Sequence, residues 1–191
     1  MCEIASRMLS EETWQLTVGD IQQSIVDTDI RKLPARLENP SDPNSNFAWW
    51  HKSIGEYLCA VAAYKDPNSM IENVQYPFSR RAPAVVKFFS HIVREEMSVE
   101  TKKEILETLV SYAEALSFNR NEDVLISAKG SNALALLVAA GVPLHEIDLA
   151  DGSIVEDCDL SQAIFDDFDG RNINFRGCLL PTTDEILEYE K

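Results

Sequence analysis

The sequence predicts a mainly α chain with a C-terminal β portion, and three observations carry that expectation. Apolar residues recur at helical spacing before Gly141, as in Val85, Val86, Phe88, Phe89 and Ile92. An aromatic cluster, Phe47-Ala-Trp-Trp50, opens directly into one such helix. From Ser153 onward the period changes to five residues. Neither a helix nor a strand produces five, because their apolar periods are 3.6 and 2.

Residues 3–9 and 17–30 read as helices, with a turn from Ser10 to Gln15 between them. Thr17-Val-Gly-Asp20 is a capping pattern ahead of Ile21, Ile25 and Ile30. Two helices, a short connector and the basic stretch from Arg31 suit a winged-helix-like remnant; an anonymous helical hairpin suits the same segment. Pro40-Ser-Asp-Pro-Asn-Ser-Asn46 is a loop by composition. Residues 1–46 are therefore expected to form that remnant and a linker.

Phe47, Trp49 and Trp50 lead to His51. Ser53 is expected to cap the next helix, with Glu56 at the reciprocal position. Tyr57, Leu58, Val61 and Tyr64 continue an apolar face, and Asp66-Pro67 stops it. Aromatic side chains this large belong in a packed site. The stretch is thus expected to be structural, with Trp49 or Trp50 locking the N-terminal helices onto the middle ones. Pro83 opens a further helix through Ile92, and Ser98 caps another through Ile105, Leu106, Leu109, Tyr112 and Leu116. A short helix is expected from about Asp123 to Ala128, and a separate one over Ser131–Gly141, closed by Gly141 and Pro143. Stacked pairs of HEAT-like kind fit residues 47–143, although no repeat of about 40 residues is visible.

Residues 144–182 carry the period of five. The first position of successive units runs Ser153, Cys158, Ala163, Phe168, Ile173, Cys178; the third runs Val155, Leu160, Phe165, Gly170, Phe175, Leu180. The positions between are mostly Asp, Asn, Ser, Gln, Arg and Gly. A square coil accounts for this, with one unit per side and two inward side chains per unit. Four units then close a turn, so Cys158 and Cys178 stack on one face. Asp159, Asp166 and Asn174 face out. The coil core is expected to comprise Val155, Cys158, Leu160, Ala163, Phe165, Phe168, Ile173, Phe175, Cys178 and Leu180. So short a coil needs a neighbour to cap it. Residues 183–191 are an acidic tail, either a short helix or frayed.

These units resemble the pentapeptide-repeat family, whose consensus is roughly Ala-(Asp/Asn)-Leu-x-x. Cys158-Asp-Leu160 and Ile173-Asn-Phe175 fit it, and Gly170 departs from it. The resemblance implies a short right-handed quadrilateral β-helix. The run Phe47, His51, Ser53, Glu56, Tyr57, Leu58 and Ala60 is similar to a motif that follows the winged-helix region of NACHT-type STAND NTPases. Ile54 stands where that family has Phe, and the spacing from Phe47 to His51 is longer, so Trp49 is the alternative equivalent. Ser131-Asn-Ala-Leu-Ala-Leu-Leu-Val-Ala-Ala-Gly141 resembles the connector that leads into pentapeptide repeats in bacterial NACHT-related proteins. In that family the aromatic motif joins subdomains and catalyses nothing.

Composition and missing chemistry bound the function. Net charge is −15 over 191 residues. Phosphate backbones would be repelled, which argues against nucleic-acid binding. No apolar run approaches the ~18 residues of a membrane span, and no secretory signal opens the chain. Cys2, Cys59, Cys158 and Cys178 lack disulfide or metal spacing, so reduced thiols in a cytoplasm are expected. No Gly-Lys-Ser or Gly-Lys-Thr occurs, and a phosphate loop needs one. His51, His91 and His145 are scattered with no carboxylate at ligand spacing, so neither metal nor cofactor is expected. Asp166, Asp167 and Asp169 read as a solvated acidic edge.

The resemblances together imply a non-catalytic protein-interaction, sensor or regulatory region of a NACHT-like STAND signalling protein. Its partner is expected to be a protein, such as an NTPase module encoded upstream. The alternative is a stand-alone acidic pentapeptide-repeat protein that mimics DNA and inhibits a DNA-binding enzyme. Six or seven units are short for a duplex-like rod, which weighs against that alternative.

Overall fold

The computed structural model describes residues 2–10, 15–24, 32–74, 76–95, 99–115, 124–149, 151–170 and 172–181. The described chain is mainly helical, with two small sheets, neither of them closed.

The N-terminal part alternates helix and strand: α1 (Cys2–Ser10), β1 (Gln15–Thr17), α2 (Val18–Ser24), β2 (Ala35–Leu37) and β3 (Asn46–Trp49). β3 lies between β1 and β2 and is antiparallel to both. Leu16 and Leu37 sit opposite Phe47 from its two sides. The aromatic stretch therefore begins as the central strand of this sheet, past the expected junction at residue 46. Ile25 and Ile30 of the expected second helix lie outside the described residues.

Thr17 caps α2 as its spacing suggested. The Asp20 N–H donates to Thr17 Oγ1 at 3.2 Å, and the Thr17 N–H donates back to Asp20 Oδ2 at 3.0 Å. The Thr17 hydroxyl donates to the same carboxylate at 2.6 Å, and Arg7 reaches Oδ1 from α1 at 3.1 Å. The Thr17 hydroxyl and amide, with Arg7, hold the Asp20 carboxyl below its ordinary value of 3.8. A depressed folded-state value makes the stabilisation complete above the unfolded value. It is lost as pH falls through the lower folded one. Asp20→Asn is expected to cost about 1 kcal/mol at neutral pH, as lost caps do. In urea melts, the gap to wild type should shrink as pH drops below 3.8. A gap that stays constant into strong acid would refute an ionic cap.

The next helix is α3 (Lys52–Lys65), and its cap differs from expectation. His51, not Ser53, is the N-cap: its Nδ1 accepts the Ser53 N–H at 3.2 Å and lies 2.7 Å from Ser53 Oγ. The imidazole nitrogen thus takes the amide that a serine cap would have taken, and Ser53 falls inside the first turn. The buried face also differs. It comprises Gly55, Glu56, Leu58, Cys59, Ala60 and Ala63. These are mostly small residues, which lets α1 and α6 (Pro83–Glu95) approach closely. Tyr57 faces out, 41% exposed, with its ring edge-on to Phe88 at 5.5 Å.

α4 (Pro67–Asn73), α5 (Phe78–Arg81) and α7 (Val99–Ala115) complete the shell. Ser98 and Leu116 lie outside the described residues. The two helices expected around residues 123–141 are one, α8 (Val124–Ala139). Gly130 sits buried within it. A mid-helix glycine costs about 1 kcal/mol relative to alanine. Packing overrides that here, because α4, α6, α7 and the coil all contact α8. Ala133 to Ala140 are all buried, as a helix that is apolar all round requires. α8 ends in a Schellman turn: the Gly141 N–H donates to the Val138 carbonyl at 2.9 Å, and the Val142 N–H to Leu137 at 3.0 Å.

After a 3₁₀ turn at Leu144–Glu146 come β4 (Ile154–Glu156) and β5 (Asn174–Arg176), paired in parallel. Ile154 faces Asn174, Val155 faces Phe175 and Glu156 faces Arg176. A further parallel bridge joins Asp159 to Leu179, again twenty residues on. The Leu144 N–H likewise donates to the Ile164 carbonyl at 3.1 Å. Val155, Cys158, Leu160 and Ala163 are buried, and they belong to the same continuous core as the helices.

Candidate functional site: the seam between helices and coil

The coil is seated on α8 by polar groups that the sequence reading passed over. Ser131 Oγ accepts the Glu156 N–H at 2.9 Å, and the Ser131 carbonyl accepts the Cys158 thiol at 3.4 Å. Its neighbour Asn132 turns to the helices. Its Oδ1 accepts the Phe78 N–H at 2.7 Å, and its Nδ2 donates to the Tyr76 carbonyl at 2.9 Å. Both residues are 1% exposed. A buried polar side chain persists only where it is fully hydrogen-bonded, and these two are bonded in opposite directions. The available signal was a Ser-Asn pair interrupting an otherwise apolar helix.

α5 closes the seam from the other side. Ser79 Oγ donates to the Asp157 carbonyl, and Arg80 pairs with the Asp157 carboxylate. Asp157 has φ 49°, and a Cβ on the stacked Gly177 would lie 2.5 Å from its Oδ1. A side chain there would have to push the Asp157 carboxylate aside, and the Gly177 φ of 67° also favours glycine. One rung carries an ion pair along the coil, Arg176 Nη1 to Glu156 Oε1 at 2.8 Å.

The expected coil core is buried toward α8 and open away from it. Phe165, Phe168 and Phe175 are half-buried in one aromatic cluster, with centroids 5.8, 6.3 and 6.4 Å apart. Gly170 has its place there: a Cβ would meet the Phe168 ring at 2.8 Å, so the ring fills the space that a central Leu or Phe would take. Ile173 and Cys178 are half-buried. Leu180 differs from expectation: it is 47% exposed, because no described rung stacks beyond it. Asp166 and Asn174 face solvent, and Asp159 is half-buried.

Cys158 and Cys178 do stack, the Cys158 N–H donating to Cys178 Sγ at 3.4 Å. Burial raises both thiols above their ordinary value, Cys158 much further. Protonated, enclosed thiols of this kind are poor nucleophiles. Among the described residues, Cys59, Cys158 and Cys178 are not joined in disulfides.

The aromatic motif divides between core and surface. Phe47 is fully buried and meets Trp49 edge-on at 5.2 Å; Trp49 is 5% exposed. Its indole N–H has no acceptor among the described residues. Trp50 is 62% exposed, so of the two tryptophans only Trp49 is placed in the core. Glu56 is buried with Lys52 Nζ at 3.5 Å, and Lys52 also donates to the Arg81 carbonyl at 2.5 Å. Elsewhere Glu72 accepts the Tyr112 hydroxyl at 3.0 Å and pairs with Lys129, tying α4 to α7 and α8. Burial, then that bond, pushes the Tyr112 hydroxyl to about 12.

No family model, characterised protein or solved structure matches this chain. The chemistry therefore rests on the geometry. Among the described residues, no group of three His, Cys, Asp or Glu side chains is placed to hold a metal. No described helix is long and apolar enough to cross a membrane. His91 is exposed, and His145 Nδ1 lies 2.9 Å from the Asp166 carbonyl oxygen. What the seam does offer is a groove of about 490 Å³ between α6, the end of α8 and the coil corner. Lys87, Ser90 and Arg94 line it on one side, and Asp159, Ser161 and Gln162 on the other.

Proposed function

We propose that this chain is a non-catalytic interaction or regulatory module of NACHT-like STAND type, without its own nucleotide site. In this reading it is a cytoplasmic winged-helix-like unit, a helical middle and a right-handed pentapeptide coil in series. The observation that carries the proposal is the constant twenty-residue offset between paired rungs, directly after the Schellman turn of α8. Four five-residue units per turn give that offset, and the connector-like helix leads into it. The helix–strand–helix–strand–strand order, with β3 between its neighbours, supports a winged-helix origin for the N-terminal part. The aromatic motif then joins this part to the helices through Trp49. The module transmits or receives a signal by holding a protein partner, and its rigid single core suits that task.

Calorimetric titration with Mg-ATP and Mg-GTP is expected to show neither binding nor turnover. Micromolar nucleotide binding would overturn the reading. In a second measurement, a phosphate-loop segment encoded immediately upstream of Met1, produced separately, should bind the chain. An upstream frame without any phosphate loop would refute the STAND assignment.

A further inference from the structure

The groove beside the coil combines three kinds of wall. α6 contributes Lys87, Ser90 and Arg94, spaced to share one helical face. The floor is apolar: Val86, Val138 and Ala139. The coil corner supplies Asp159, Ser161 and Gln162. Lys87 and Arg94 are exposed and have no carboxylate partner among the described residues. In a chain of net charge −15, two free cations over an apolar floor are a local exception. The opposing Asp159 carboxylate is engaged at home, accepting the Ser161 N–H at 3.1 Å and its hydroxyl at 2.6 Å. Two cations against one carboxylate leave the groove positive.

The chain itself holds a segment of the complementary chemistry, and it follows directly on residues that border a neighbouring cavity. Residues 182–191, Thr-Thr-Asp-Glu-Ile-Leu-Glu-Tyr-Glu-Lys, lie outside the described residues. They carry four acids and one base, with Ile186, Leu187 and Tyr189 interleaved. The coil leads toward them through Leu179, which is 62% exposed. Leu179 lines a small cavity that shares Val86 and Asp159 with the groove. Ten residues beyond Pro181 reach about 33 Å when extended, ample for the distance along a helix of α6's length.

We propose that residues 182–191 dock in this groove within the same chain, their acids on Lys87 and Arg94 and their apolar side chains on Val86, Val138 and Ala139. The groove is thereby a receptor for acidic-aliphatic peptide, and the chain's own terminus is its resident occupant. A partner bearing a similar segment would have to displace it. This inference does not rest on the STAND reading; it needs only the groove and the tail.

Limited digestion of the full chain with a glutamate-specific protease tests it, with mass spectrometry reading cleavage after Glu185 and Glu188. The double variant K87E/R94E should be cut there at least about tenfold faster than wild type, because cleavage follows the open population. High salt should accelerate the wild type in the same direction. K87R/R94K should keep the protection, and Lys103→Glu, away from the groove, should leave it unchanged. Circular dichroism and melting of the variants separate release of the tail from loss of the fold. Equal cleavage rates in folded wild type and folded K87E/R94E overturn the proposal. Protection that grows with protein concentration also overturns it, because the tail would then lie on a second copy.

Discussion

Replacing Asn132 by alanine should lower the melting temperature by roughly 6–12 °C. That follows from about 3 kcal/mol of lost stability at 2–4 °C per kcal/mol for a chain of this size. The change removes one acceptor and one donor, and it strands the Phe78 amide and the Tyr76 carbonyl in the interior. Both groups belong to buried residues, Phe78 being 1% and Tyr76 8% exposed. Each stranded group costs its desolvation, about 1–3 kcal/mol. Asn132→Asp keeps the acceptor for the Phe78 amide, loses the donor to Tyr76 and buries a charge, so it should be at least as damaging. A melting temperature of the alanine variant within about 2 °C of wild type would mean that the seam is not held by this residue.

Leu160→Asp should be the most damaging single change in the coil. Leu160 is fully buried, in the core that runs on into the helices. A carboxylate in that apolar core costs more than about 4 kcal/mol, the range of severe core lesions. The matched control is Asn174→Asp, an exposed neighbour on β5, expected within about 0.5 kcal/mol of wild type. Because the core is continuous, Leu160→Asp should shift far-UV and near-UV transitions together, without releasing the coil alone. A separate low-temperature coil transition, or no shift at all, would refute a shared core.

Local rules made some elements readable in advance. Thr17-Val-Gly-Asp20 declared its own cap, Pro83 its helix start and Gly141 its helix end, since each depends on residues within one turn. The five-residue period, taken four to a turn, implies the twenty-residue offset at which β4 and β5 pair. What escaped was decided at a distance. Ser131 and Asn132 act through residues 25 and 54 positions away, so the polar pair within an apolar helix marks a buried anchor without saying what it holds. The cap of α3 escaped because His51 and Ser53 compete for one amide, and the ring nitrogen reaches it from outside the helix. Tyr57 looked like core by spacing. The small side chains of α3 instead let neighbouring backbones close in on the opposite face. The Lys87–Arg94 groove exists only once α6 and the coil corner stand together, so nothing in either segment announced it.

The hydrogen bond from Glu156 to Ser131 also sets an order of events as the chain is made. β4 can find that seat as soon as α8 exists, across only 25 residues. β5 pairs with β4 only after a further twenty residues. Contacts that close short loops cost less chain entropy than those that close long ones, which favours the α8–β4 seat forming first. The last rung inherits the register of the first from a serine hydroxyl on α8. A slip by one unit would therefore have to break that bond before it could spread.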